Sequence, residues 1–226
     1  MKTLCLTFDD GCAEDAEIIR ILKDNGACAT FYLNSGLLGT TYFHPELGRK
    51  VRRLSAEEAK TVYAGQEVGS HTMHHPFLDR LTDEGILRET MDDRAALGTL
   101  FGKPPDTIAL PFGPYPENFH RRIGALLAGS GFSAIRTGVR SMDFHCPKGV
   151  LVHPACGFPD LLASGAMEAF LASGDGAFMC VAGHGYEAEA DSDGLRMLGE
   201  VLARCGKAGN VRLEGLGKAL ESARAE

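Results

Sequence analysis

Short apolar runs alternate with amphipathic stretches along the whole chain, and this pattern limits the fold more than any other feature of the sequence. Residues 3–8 read as a buried strand, 13–25 as a helix with Ile18, Ile19, Ile21 and Leu22 on one face and Gly26 as its stop, and 27–33 as a second strand. Ser55-Ala56-Glu57-Glu58 is a capping box that opens a helix ending near Gly65. A short strand follows at 67–70, then a long helix over 83–101, a strand at 106–110 and a helix over 116–129. The remaining expected elements are a strand at 132–136, one helix over 159–173, a strand at 177–183, a helix over 193–206, a brief strand near 210–212 and a helix from 213. Segment 36–54 reads as a loop. Regular strand–helix alternation argues for a parallel sheet wound by right-handed crossovers, in an α/β domain. Seven or eight such strands leave a closed or partly open barrel and an open sheet as alternatives, and either places function at the carboxyl ends of the strands.

Length fits one domain over 1–226. The net charge of −7 comes without basic runs, which argues against nucleic acid or an anionic membrane surface as partner. Seven cysteines, an odd number with no C-x-x-C pair, do not form a disulfide framework. Met1-Lys2-Thr3-Leu4 runs straight into the first strand with no apolar leader, and no segment has the length to span a bilayer, so the expected location is the cytoplasm.

The chemistry-bearing residues fall where the fold reading wants them. Thr7-Phe8-Asp9-Asp10-Gly11 ends the first strand with two adjacent carboxylates. His71-Thr72-Met73-His74-His75-Pro76 follows the strand at 67–70. Two histidines four apart can turn two imidazoles toward one ion, with His74 as a competing ligand. Asp10, His71 and His75 would supply one oxygen and two nitrogens, a set that suits zinc and other first-row divalent metals and leaves positions open for water and substrate. Pro111-Phe112-Gly113 and Gly183-His184-Gly185 each follow a strand, the second reading equally well as a glycine turn that exposes its histidine.

Taken together, these strings resemble the polysaccharide deacetylases, the NodB-homology domains of carbohydrate esterase family 4. The first string is complete at 7–11, the outer histidines of the second match, Pro111-Phe112-Gly113 matches the third and His184 the last. The resemblance implies an irregular, partly open (β/α) barrel of about seven parallel strands. It implies Asp10, His71 and His75 as metal ligands, zinc foremost, with cobalt, nickel or manganese as alternatives. Asp9 would be the general base on the attacking water and His184 the general acid for the departing amine. Pro111, Phe112 and Gly113 would face the substrate, with the backbone N–H near Phe112 on the oxyanion.

This chain departs from the family pattern at the third motif, where the family's Arg falls on Ala109, and it lacks the Asp- and Trp-bearing fourth motif. Arg136, at the end of the strand at 132–136, is expected to stand in for the missing Arg from a neighbouring strand, against the alternative of a plain structural ion pair. Cys12 reads as helix packing or as a substrate contact, and His153-Pro154 as a solvated loop or a cleft wall. The expected activity is removal of acetyl groups from N-acetylated amino sugars or a related small amide. Two rivals share the scaffold: a cyclic imide or ureide amidohydrolase, and an inactive homologue that binds metal or glycan. Oligomeric state is not legible.

Overall fold

The computed structural model describes residues 1–190 and 192–225. Its spine is β1 (Lys2–Asp9), a strand buried along its whole length. Burial on both faces is what a central parallel strand requires, and Leu4, Cys5, Leu6 and Phe8 supply its apolar part, with Lys2, Thr3 and Thr7 buried beside them. Helix α1 (Asp15–Asp24) turns Ile18, Ile19 and Leu22 inward against Leu4, Leu6 and Phe8, then returns the chain to β2 (Thr30–Leu33). Phe8 stacks on Phe31 at 5.4 Å, and Phe31 meets Tyr63 at 5.1 Å, so an aromatic column fills the space between sheet and helices.

Further along come β3 (Thr41–His44), β4 (Arg49–Arg52), α2 (Ala56–Val62), β5 (Glu67–Ser70), α3 (Asp83–Phe101), β6 (Thr107–Ala109), α4 (Glu117–Leu126) and β7 (Ala134–Arg136). After these lie β8 (Leu151–Val152), β9 (Cys156–Gly157), α5 (Asp160–Ala163), α6 (Ala166–Ala172), β10 (Phe178–His184), α7 (Gly185–Ala190), α8 (Ser192–Ala208), β11 (Val211–Leu213) and α9 (Leu216–Ala225). The capping box at Ser55 is formed in both directions, and Thr82 caps α3, which stops at Gly102 in the left-handed region with φ 80°.

Among the described residues, nine parallel strands form one sheet in the order β8-β7-β6-β5-β2-β1-β10-β9, with β11 beside the start of β1. The sheet curls into a partly open barrel, as the family resemblance implies. Its two edge strands, β8 and β9, are neighbours in the chain, joined only by His153, Pro154 and Ala155.

The structure corrects four expectations. The strand count is nine rather than about seven because β8 and β9, two residues each, are too short to leave a periodic signature. The segment 36–54 contains an antiparallel hairpin, β3–β4, outside the main sheet. The expected helix over 159–173 is two helices, broken at Ser164 and Gly165, with Gly165 at φ 72°. Gly185 opens helix α7 instead of closing a turn.

Candidate active site

Five strand ends converge on one rim. Asp9 is the last residue of β1 and sits in register with Tyr32 on one side and His184 on the other. His71 directly follows β5, Ala109 ends β6, Arg136 ends β7 and His184 ends β10. Beyond its strand, Asp10 turns into the left-handed region (φ 77°), as do Thr72 (66°), His75 (54°) and Phe112 (63°). Four non-glycine residues held this way around one cleft amount to local strain that the surrounding packing must maintain.

Asp10, His71 and His75 each present a ligand atom, and these atoms lie within 4.8 Å of one another. His71 is buried, and its Nδ1 lies 2.9 Å from the Ala109 carbonyl oxygen. A carbonyl can only accept, so Nδ1 carries a proton and Nε2 is the ring nitrogen left to face an ion. Burial, helped by neighbouring His71, holds His75 down to about 4, so this imidazole is neutral at pH 7. Burial works against the charge on Asp10, yet His184, His71, His75 and Arg53 together pull its carboxyl down to about 2. A carboxylate with two imidazole nitrogens suits a first-row divalent metal, so the residues present fit the group that the sequence implies.

Asp9 is buried, and its Oδ2 accepts a hydrogen bond from Arg136 Nη2 in an ion pair almost closed to solvent. Burial alone would raise the Asp9 carboxyl, but Arg136, then His71 and His184, keep it below the usual carboxylate range. Asp9 Oδ1 is buried with no hydrogen-bond partner. Arg136 pairs in register with Ala109 on the adjoining strand. The guanidinium therefore reaches the rim one strand over from the position where the family pattern carries its Arg, in contact with the aspartate that such an Arg would serve.

His184 is held by Glu187, three residues on at the start of α7. Its Nδ1 lies 3.0 Å from Glu187 Oε1, and its backbone N–H donates to Oε2 at 3.0 Å. Tyr186 stacks on the imidazole at 4.7 Å. Burial would push His184 down, but the bond and charge of Glu187, with Asp9 and Asp10 adding, raise it to about 9. The ring is thus protonated near neutrality, with Nε2 left to act.

A cavity of about 600 Å³ opens over these groups, lined by Asp9, Asp10, His71, His75, Arg136 and His184 together with Leu110, Phe112, Gly113 and the hairpin residues Tyr42–Glu46. Phe112 is half exposed and packs edge-to-face on His75 at 4.5 Å. Pro111 does not line this cavity, which corrects one expectation. Its carbonyl is instead tied up, accepting from the Gly113 N–H and the Tyr115 hydroxyl. His74 is exposed and pairs with Glu89, outside the Asp10, His71 and His75 cluster. Cys12 is fully buried against Val51 and Tyr186, so it packs rather than meeting substrate. His153 bonds to Thr137 and lies outside the cavity, whereas Pro154 lines an adjoining lobe that shares Asp9, Arg136 and His184.

Sequence reasoning missed three residues here: Tyr42, whose hydroxyl donates to Asp10 Oδ2 at 3.1 Å, Arg53, whose Nη2 lies 3.5 Å from Asp10 Oδ1, and Glu187. Only Glu187 had a readable signal, an acid one helical turn beyond a candidate catalytic histidine.

Comparison with known proteins gives the family and the fold. The family model described as polysaccharide deacetylase matches residues 1–126, and the chain belongs to that family. The match takes in Asp9, Asp10, His71 and His75 and ends before Arg136 and His184. A chitin deacetylase of a Pestalotiopsis species is 31% identical over 167 residues, 73% of this chain and 51% of that protein. The peptidoglycan-N-acetylmuramic acid deacetylase PdaC of Bacillus subtilis is 29% identical over 114 residues, 50% of this chain and 22% of that protein. The chain thus spans about half the length of the first of these relatives and about a fifth of the second. A family 4 carbohydrate esterase from Bacillus anthracis superposes with a TM-score of 0.64 at 16% identity, covering 98% of this chain and 83% of that one, a likeness of fold.

Proposed function

We propose that this protein is a metal-dependent hydrolase that removes N-linked acetyl groups from N-acetylated amino sugars. The observation that carries the proposal is the buried Asp9–Arg136 pair standing between the Asp10, His71 and His75 cluster and the protonated His184. An ion held by that cluster would supply Lewis acidity, which polarises an amide carbonyl and makes hydroxide available near neutral pH.

The protein's own groups divide the proton work. Arg136 occupies Asp9 Oδ2, which leaves the buried Oδ1 as the acceptor for a proton from the attacking water. His184 holds a proton that it can give to the amine nitrogen as the C–N bond breaks. Glu187 fixes the tautomer of that ring and favours its charged form. Two titratable groups pushed in opposite directions, Asp9 down and His184 up, are what an acid–base pair needs at one pH. Phe112 and Gly113 line the cavity beside His75, on the side where the resemblance places the oxyanion contact.

The test is acetate release from N-acetylglucosamine oligomers, with metal content measured on the same preparation. Near-stoichiometric metal with acetate release supports the proposal, provided that Asp9→Asn keeps the metal and loses turnover. Bound metal without acetate release overturns the sugar reading in favour of small amides or cyclic imides. No binding after reconstitution overturns the metal reading.

A further inference from the structure

We propose that the β3–β4 hairpin belongs to the metal centre, with Tyr42 as a positioning residue that turns the Asp10 carboxylate toward the ion. The inference rests on the metal reading of Asp10, His71 and His75 and assigns a role to a segment outside the barrel.

The hairpin is clamped to the chain that carries Asp10. Leu54 N–H donates to the Gly11 carbonyl, Ala13 N–H donates to the Arg52 carbonyl, and Cys12 bridges Arg53. Beneath it, Val51, Cys12 and Tyr186 form a small apolar cluster of their own. A further ion pair, Arg49 to Glu14 at 2.7 Å, ties it to the loop before α1. Within β3, alternation puts Tyr42 and His44 on the inner face and leaves Thr41 and Phe43 exposed.

From that inner face the Tyr42 hydroxyl donates to Asp10 Oδ2 at 3.1 Å, while His75 Nε2 faces Oδ1 at 3.6 Å. Asp10 Oδ2 thus faces the hairpin tyrosine, while Oδ1 lies between His75 and Arg53. Arg53 backs this arrangement, with its guanidinium 4.4 Å over the Tyr42 ring. It also lies 3.5 Å from Asp10 Oδ1. His44 packs on Tyr186 at 5.0 Å, and Tyr186 stacks on His184. One hairpin therefore touches both a metal ligand and the packing of the proton donor. An outer partner that orients a ligand changes ion affinity without being a ligand itself.

The experiment is a chelator-competition titration of zinc, with the visible spectrum of the cobalt-substituted protein as a second readout. It uses wild type, Tyr42→Phe and, as a control, Lys50→Ala on the exposed side of the same hairpin. Thermal melts confirm that each variant is folded. Tyr42→Phe is expected to weaken zinc binding about 10- to 100-fold and to shift the cobalt bands, while Lys50→Ala leaves both unchanged. Zinc affinity within twofold of wild type in Tyr42→Phe, with an unaltered cobalt spectrum, overturns the role of the hairpin and leaves the metal site standing. Failure of wild type to bind either ion overturns the metal reading, and the hairpin's role with it.

Discussion

Replacing Arg136 by Ala removes the charge that holds Asp9, and the structure sets the size of the effect. Both side chains are almost closed to solvent, at 4% and 10% exposure, so water cannot take over from the guanidinium. Breaking such a buried pair by removing one partner costs about 3–5 kcal/mol. Asp9 can escape part of that cost by taking up a proton, which places the expected loss of stability near ~3 kcal/mol. For a chain of this length that is a fall in Tm of roughly 6–12 °C. The same proton removes the base, whose contribution to rate is about 10²- to 10⁴-fold. Arg136→Ala should therefore lower kcat/KM for acetate release by about a hundredfold or more. The register supplies a rescue. Ala109 and Arg136 are side by side on strands about 4.8 Å apart, a gap that an arginine side chain spans. The double variant Ala109→Arg with Arg136→Ala should recover at least about tenfold of the lost activity if the charge, not the strand that carries it, is what Asp9 requires. Arg136→Ala with activity within about threefold of wild type and an unchanged Tm would refute this reasoning.

Three further outcomes follow from the geometry. His71→Ala should abolish near-stoichiometric zinc binding while leaving the fold intact, read by metal analysis beside circular dichroism, and retention of metal would remove His71 from the ligand set. Glu187→Gln deletes the strongest influence raising His184, so the ring loses its proton at lower pH, the alkaline limb of the pH–rate profile moves down and turnover at pH 8 falls several-fold; an unmoved limb would show that His184 does not act as the acid. Asp15 is fully buried, takes a hydrogen bond from Tyr63 at 2.6 Å, and is raised well above the usual carboxylate range by burial. A raised folded-state value means stability that is complete below the unfolded value and lost as pH rises through the folded one, so Asp15→Asn should flatten the decline of Tm from pH 5 to 9, and a steeper decline would contradict it.

How much of this was legible depended on how each residue announces itself. The long helix α3 has the bounds expected from its sequence because Thr82 caps it, Gly102 ends it and a 19-residue segment leaves ample pattern. Asp9, Asp10, His71 and His75 stand in short strings at strand ends, so their meeting on one rim could be read. Arg136 could be placed because the end of its strand faces the same rim, though the contact with Asp9 needed the register. The hairpin could not be read. Its four-residue strands are mostly exposed or half-buried, with Val51 fully buried, and are held by backbone bonds to residues 11–13 that no local pattern encodes. Tyr42 and Arg53 were missed with it, since an aromatic and a basic residue in a polar stretch carry no mark of which carboxylate they will meet.

The link between β8 and β9 has a mechanical meaning. These strands form the two free edges of the sheet, yet only His153, Pro154 and Ala155 separate them in the chain. Four peptide steps from Val152 to Cys156 extend to about 14 Å at most. Among the described residues no ladder joins β8 to β9 at this seam, and the covalent tether sets a hard limit on how far the two edges can stand apart. Pro154 lies on that tether and also lines the lobe beside Asp9, Arg136 and His184. The width of the opening next to these three side chains is thereby bounded by the length of a single short stretch of backbone, and adding residues there would loosen it in steps of about 3.5 Å.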